Sequence, residues 1–435
     1  MKNLYVTLLA LLMLQANSYA TTYTSTGNGN WKSLATWSPM GIPLPTDNVI
    51  INHAVSLDTS LYILGTLTIN ANGSLIGNNP TRDIWMNAAN ASITNHGDVS
   101  IRYMLLSAGT LSNSGTFIVK SFHNSVNVSN TGTMQGVDSL YNNAPGIITN
   151  NGTLRTKTFF NQSTINNYGN IQGFVSAVDS IYNNATFTNY AGSNLTADRG
   201  TNNGTFVNGS EAYFNHFLNF YNGVFTNNDT MSFSWMTNLG QFTNNGKIYG
   251  TNSMWNVEDF TNFGSIHVGL SFLNGDSLGA SATFVNHGSF KIDDSFYNFN
   301  TVNGWASGSF IVQDTSYNNG TMQGSYDFCD LTPVPTFPKV DYNFGWVDFN
   351  ISFCGVLNID EHQASSYSIY PNPTNSIVNF GDQDVHVTVL SVEGKKMIEL
   401  TANKVDLSSY KSGIYLLQIH DNKGNVVQIE KLIKE

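Results

Sequence analysis

Along most of the chain the apolar residues keep no helical spacing and form no long runs. They alternate with Ser, Thr and Asn for three or four residues and then stop at an Asn, usually followed within two residues by Gly. Ile93-Thr94-Asn95-His96-Gly97, Leu111-Ser112-Asn113-Ser114-Gly115, Phe242-Thr243-Asn244-Asn245-Gly246 and Phe284-Val285-Asn286-His287-Gly288 are copies of one unit. From Asn95 to Asn286 the Asn-to-Asn steps are 18, 17, 20, 17, 22, 19, 19, 17, 18 and 24 residues, a mean of about 19. A helical-hairpin repeat needs roughly 33 residues. Alternation at this period fits one turn of a parallel β-helix, built of two or three short strands joined by tight corners. Asn and Gly tolerate the left-handed backbone that such corners are expected to demand. Stacked Asn side chains can also hydrogen-bond from coil to coil.

A second column lies about half a turn away, an aromatic followed by Asn: Tyr141-Asn142, Phe160-Asn161, Tyr182-Asn183, Trp255-Asn256, Tyr297-Asn298 and Tyr317-Asn318. Two columns in one register support the solenoid. The favoured expectation is that these aromatics fill its interior; facing outward instead, the column with Trp235 and Trp255 could stack sugar rings. Each coil should advance about 4.8 Å, so a dozen would make a rod of roughly 60 Å. Open coil ends expose unpaired backbone and need caps. Trp31, Trp37, Pro43, Pro45, Asp47, Val49-Ile50-Ile51, Val55 and Leu57 resemble the tryptophan-containing module that opens many β-helical surface proteins.

At about residue 364 the pattern changes. Seven of the fourteen lysines fall in the last 72 residues, and hairpin-like strands replace the Asn-Gly repeat. Val385, Val387 and Val389 share one face, followed by turns at Glu393-Gly394 and Asn422-Lys423-Gly424. Short strands and turns of this kind imply a small antiparallel β-sandwich. Tyr370-Pro371-Asn372-Pro373, Glu393-Gly394-Lys395, the segment reaching Gly413-Ile414-Tyr415, and the terminal run from Lys431 closely resemble the type A C-terminal sorting domain of the Bacteroidetes type IX secretion system. That resemblance implies recognition by the secretion machinery at the outer membrane, and then removal of the domain with release of the cargo or its attachment to surface glycolipid. It implies nothing about what the cargo does.

The other end reads as a secretory leader. Lys2 precedes an eleven-residue apolar run, Leu4 to Leu14, and Ser18-Tyr19-Ala20 is a small-x-small site, so cleavage is expected after Ala20. The run is too short to span a bilayer, which takes about 20 residues, and no transmembrane segment is expected. In an exported chain Cys329 and Cys354 are expected to form a disulfide closing one loop. Net charge is −11 and there are only four arginines, Arg82, Arg102, Arg155 and Arg199, which argues against nucleic acid as a partner.

Candidate chemistry is thin. Gly275-Asp276-Ser277-Leu278-Gly279 satisfies G-x-S-x-G, but a nucleophile elbow needs a strand before it and a helix after it, and here another coil follows. Polysaccharide-cleaving β-helices need converging acid/base groups; Asp293-Asp294 and Glu258-Asp259 are neighbours that point to opposite strand faces. His216, His267 and His287 are scattered. Asp138, Asp179, Asp229 and Asp276, each followed by Ser or Thr, resemble the Bacteroidetes O-glycosylation acceptor pattern, and equally fit side chains bonding their own turns.

The expected architecture is therefore all-β: leader 1–20, cap and first coils 21–94, β-helix repeats 95–326, cap or linker 327–363 with Cys329–Cys354, and sorting β-sandwich 364–435. The expected protein is secreted to the cell surface or beyond, with the type IX machinery as partner and the β-helix as stalk or adhesin. Surface glycans or glycolipid are its candidate ligands, and a polysaccharide-binding or polysaccharide-degrading role is the alternative. No catalytic, cofactor-binding or metal-ligating residue is assigned.

Overall fold

The computed structural model describes residues 20–77, 82–173, 178–276, 281–332, 338–354, 367, 369–381, 384–392, 394–420 and 426–435. Residues 1–19 of the leader and Ser277 of the G-x-S-x-G match lie outside them. The chain divides into two units, 1–355 and 356–435.

In the first unit each coil has three faces, carried by separate short strands in the later coils and by strands that run on through a corner, such as Asp98–Asn113 and Thr230–Asn238, in earlier ones. Gln241–Asn244 lies on one face, Lys247–Gly250 on a second and Met254–Asn256 on a third; the next coil repeats them as Asp259–Asn262, Ser265–Val268 and Phe272–Asn274. Like sits on like in parallel register, Phe242 opposite Phe260, Ile248 opposite Ile266 and Asn256 opposite Asn274. Parallel pairing runs from Thr22–Ser25 on Asn48–Ile51 to Thr321–Gly324 on Trp346–Val347. The coils thus continue past residue 326: Asp327–Asp330 pairs with Ser309–Val312 although the first Asn column ends at Asn286. What carries them on is the alternation itself, with Phe328 buried opposite Phe310.

The interior is mainly apolar, and two columns of asparagine make up most of its buried polar side chains. On the first face Phe187, Phe206, Phe225, Phe242, Phe260 and Phe284 stack inside, with centroids 4.5–5.1 Å apart. Beside them, from Asn95 to Asn286, each Asn Nδ2 donates to the Oδ1 of the Asn one coil on, at 2.7–2.9 Å. A second ladder of the same geometry climbs the third face from Asn124 to Asn343. The amide nitrogen also reaches the corner carbonyls: Asn227 Nδ2 lies 2.9 Å from Asp229 O and 3.0 Å from Lys247 O. The ladders let buried polar groups and chain corners satisfy one another.

Two expectations are corrected. The aromatics before the second Asn column do not fill the core; Tyr182 and Trp255 are 37% and 38% exposed. The Asn that follows each is inside, and neighbours on a strand face opposite ways; one residue earlier, Leu140, Phe159, Ile181 and Met254 take the interior. The corners need a left-handed backbone only at some places, such as Gly192, Gly275 and Gly324, and not at the Asn-x-Gly corners. Neither the ladder asparagines nor Gly115, Gly132, Gly264 and Gly288 have positive φ. Glycine is required there because the coils approach so closely: a Cβ on Gly264 would stand 1.9 Å from Gly246 O, and one on Gly288 1.9 Å from Gly264 O.

The first coil is closed by Thr22–Ser25, antiparallel to Trp37–Ser38. Trp31 and Trp37 meet edge to face at 5.1 Å, and Trp37 Nε1 donates to Trp31 O at 2.8 Å. At the other end Cys329 and Cys354 are joined, tying the chain after the last coil to the strand Asp327–Asp330.

The second unit is antiparallel. Ile377–Asn379 pairs with Lys404–Asp406, and a four-stranded sheet has the order Lys396–Ala402, Val385–Ser391, Gly413–His420, Val426–Lys434. Val378, Val387, Val389, Val405, Leu417 and Leu432 form its core.

Candidate functional site

The outward side of the third face carries a ladder of aromatic and apolar side chains. Tyr103, His123, Tyr141, Phe160 and Tyr182 follow one another at 5.2, 4.3, 4.7 and 5.0 Å between centroids. From His123 to Tyr182 the planes lie within 16° of parallel, so the rings cover one another's faces and turn their edges outward. Such rings hold adjacent coils together, and those inside the run, His123, Tyr141 and Phe160, have no face left for a planar ligand. Burial holds the His123 imidazole below its ordinary pKa.

Trp235 and Trp255 differ. They stand outward on the same face one coil apart, 45% and 38% exposed, and neither pairs with another ring among the described residues. Both indoles are pinned. Trp255 Nε1 donates to Gly275 O at 3.0 Å; Trp235 Nε1 donates to Asn252 Oδ1 at 3.1 Å, in the amide orientation that also lets Asn252 donate to Thr251 O. Sequence reading named the two tryptophans but missed Asn252, whose only signal is its spacing of about one coil from Trp235.

Apart from one cluster of three, the ionisable groups of the rod pair singly among the described residues. Asp293 Oδ2 meets His267 Nε2 at 2.7 Å, with Lys291 at 2.8 Å from Oδ1. Burial alone would raise this carboxyl, but hydrogen bonds from Lys291 and His267 hold it below the ordinary aspartate value. Its neighbour Asp294 accepts from Ser271 Oγ at 3.0 Å; both carboxyls lie in the bend after Ser289–Ile292 and not on a strand. Asp138 and Asp179 face Lys120 and Lys157 at 3.5 and 4.0 Å, and Thr230 Oγ1 donates to Asp229 at 3.2 Å. Among the described residues no group of three or more His, Cys, Asp or Glu is placed to hold a metal.

In the second unit, residues from opposite ends of the tail converge on one sheet edge. Asn372 of Tyr370-Pro371-Asn372-Pro373 clasps the last strand: its Nδ2 donates to Lys431 O at 2.7 Å and its Oδ1 accepts from Ile433 N at 2.9 Å. Thr374 N donates to Ile433 O at 2.8 Å, and Gly413 and Ile414 stand in register with Lys434 and Ile433. Tyr370, Ile414 and Lys431 are exposed, while Tyr415 is buried with its hydroxyl donating to Lys411 O at 2.8 Å.

No helix among the described residues is long and apolar enough to cross a membrane. No curated protein and no solved structure matches the chain. Residues 368–435 match the family model of the secretion system C-terminal sorting domain. The chain therefore carries this domain at its C-terminal end behind a parallel β-solenoid, and is a type IX cargo protein delivered to the cell surface or the extracellular space.

Proposed function

We propose that the solenoid is a non-enzymatic extracellular rod that works by contact, a stalk or adhesin for surface glycans, exported across the inner membrane by the leader ending at Ala20. The observation that carries this reading is the arrangement of polar groups. Both Asn ladders run coil after coil, and among the described residues the charged side chains beside them pair singly except at His267–Asp293–Lys291, which draws on two neighbouring coils. Trp235 and Trp255 supply the contact: pinned, half-exposed indoles present flat apolar faces of the kind on which sugar rings stack, at little cost in side-chain entropy.

The test is a glycan array probed with the chain from Thr21 to Glu435 and with its Trp235→Ala and Trp255→Ala variants. Binding that falls about tenfold or more in either variant is expected; equal binding by all three proteins would remove the tryptophans from the account. A polysaccharide-degrading role has one observation in its favour, the His267–Asp293–Lys291 cluster, where acid and base lie in contact on the rod.

A further inference from the structure

We propose that removal of the leader after Ala20 completes a partly buried ion pair, in which the new α-ammonium of Thr21 meets the carboxylate of Asp47 and locks the cap strand onto the first coil. The inference rests on the cleavage position read from Ser18-Tyr19-Ala20.

Asp47 is 7% exposed, yet the two hydrogen bonds its carboxylate accepts come from neutral amides: Thr21 N at 2.9 Å to Oδ1 and Leu44 N at 2.7 Å to Oδ2. None of the ion pairs among the described residues reaches it. A carboxylate so withdrawn from water and lacking a countercharge is costly to bury. One of its two donors is the nitrogen at which the leader would be cut. Thr21 itself is exposed, so a chain end fits there, and its position is set by the fold. Thr21 O accepts from Asn48 N at 2.8 Å, and Thr22 stands in register with Asn48 at the start of the cap pairing.

Hydrolysis of the Ala20–Thr21 bond by a leader peptidase leaves the oxygen of water on the Ala20 carboxylate and both its protons on the Thr21 nitrogen. That nitrogen, an amide with one N–H, becomes an ammonium with three, charged at neutral pH because α-amino groups titrate near pH 7.7–8.0. Since the nitrogen already lies 2.9 Å from Oδ1, a neutral hydrogen bond becomes a charge-assisted one without rearrangement. The loop leading to Leu44 is tied to the same carboxylate, so processing would tighten the loop and the cap strand together.

The experiment compares the full mature chain beginning at Thr21 with the same chain retaining Tyr19-Ala20, each with Asp47 and with Asp47→Asn. Hydrogen exchange is followed at Tyr23–Ser25 and Val49–Ile51. The substitution should speed exchange about tenfold more in the chain that begins at Thr21 than in the extended one; equal effects in the two backgrounds would overturn the pair. A second readout needs no substitution: neutral-pH acylation of the terminal amine should be slower at Thr21 than at Tyr19 of the extended chain, and equal rates would again overturn it. Sequencing the exported protein separates the premises. A first residue other than Thr21 defeats the cleavage reading and the pair with it, whereas Thr21 first with equal exchange effects defeats the pair alone.

Discussion

Asn227 shows what a single ladder position does. Its Oδ1 accepts from Asn208, and its Nδ2 serves Asn244 Oδ1 at 2.8 Å and the corner carbonyls of Asp229 and Lys247. Asn227→Ala leaves Asn244 Oδ1 buried without that donor, at a cost of about 1–3 kcal/mol. Hydrogen exchange should show the flanking coils loosened. Asn245→Ala, which removes only an exposed amide contact to Asn228, should change exchange little. At Gly264 an added Cβ meets the carbonyl of the coil below at 1.9 Å, so Gly264→Ala should destabilise by about 1–3 kcal/mol or more, while Gly27→Ala, with nothing within 4 Å, should be nearly neutral in thermal unfolding. His123 carries a pH dependence. Its folded pKa is lowered by burial, so below about pH 6.5 the unfolded chain takes up a proton that the folded rod refuses. Its contribution to stability is complete above that pH and declines as pH falls, and an NMR titration should place its midpoint below 6.5.

At the scale of the strand and the coil, the period was legible because a buried Asn at a fixed place in each coil marks the sequence unmistakably. Asn95 to Asn286 stand in the structure as the spacing implied. Which side the second aromatic column faced was misread, although the alternation rule was enough to place it: once Asn183 is inside, Tyr182 must be outside. The role of Gly115, Gly132, Gly264 and Gly288 could not be read, because it arises from contact between coils about one turn apart and not from local backbone conformation. Since each coil contacts mainly its neighbours, register matters more than length. Deleting residues 245–262, one whole coil from ladder to ladder, should leave a folded rod with unchanged circular-dichroism shape. Deleting 245–253 should break both ladders and abolish cooperative unfolding.

At the scale of the whole molecule, the tail was the most legible part. Its hydrogen-bonding residues sit in fixed order, and Asn372, named from the motif, proves to clasp the last strand. Asn372→Ala should leave the rod's spectrum intact but lower the amount of protein reaching the cell surface, measured by fractionation of expressing cells; removing residues 368–435 should abolish delivery. The rod's purpose was not legible, since a repeat selected for stacking writes its packing into the sequence and leaves its ligand unwritten. The claim that the rod acts by contact and performs no chemistry is tested most directly by incubating the purified chain from Thr21 to Glu435 with a panel of polysaccharides and measuring reducing ends and unsaturated products. The account predicts none above background at any time point. Products that accumulate with time and disappear in an Asp293→Asn variant would contradict it and make the His267–Asp293–Lys291 cluster an active site.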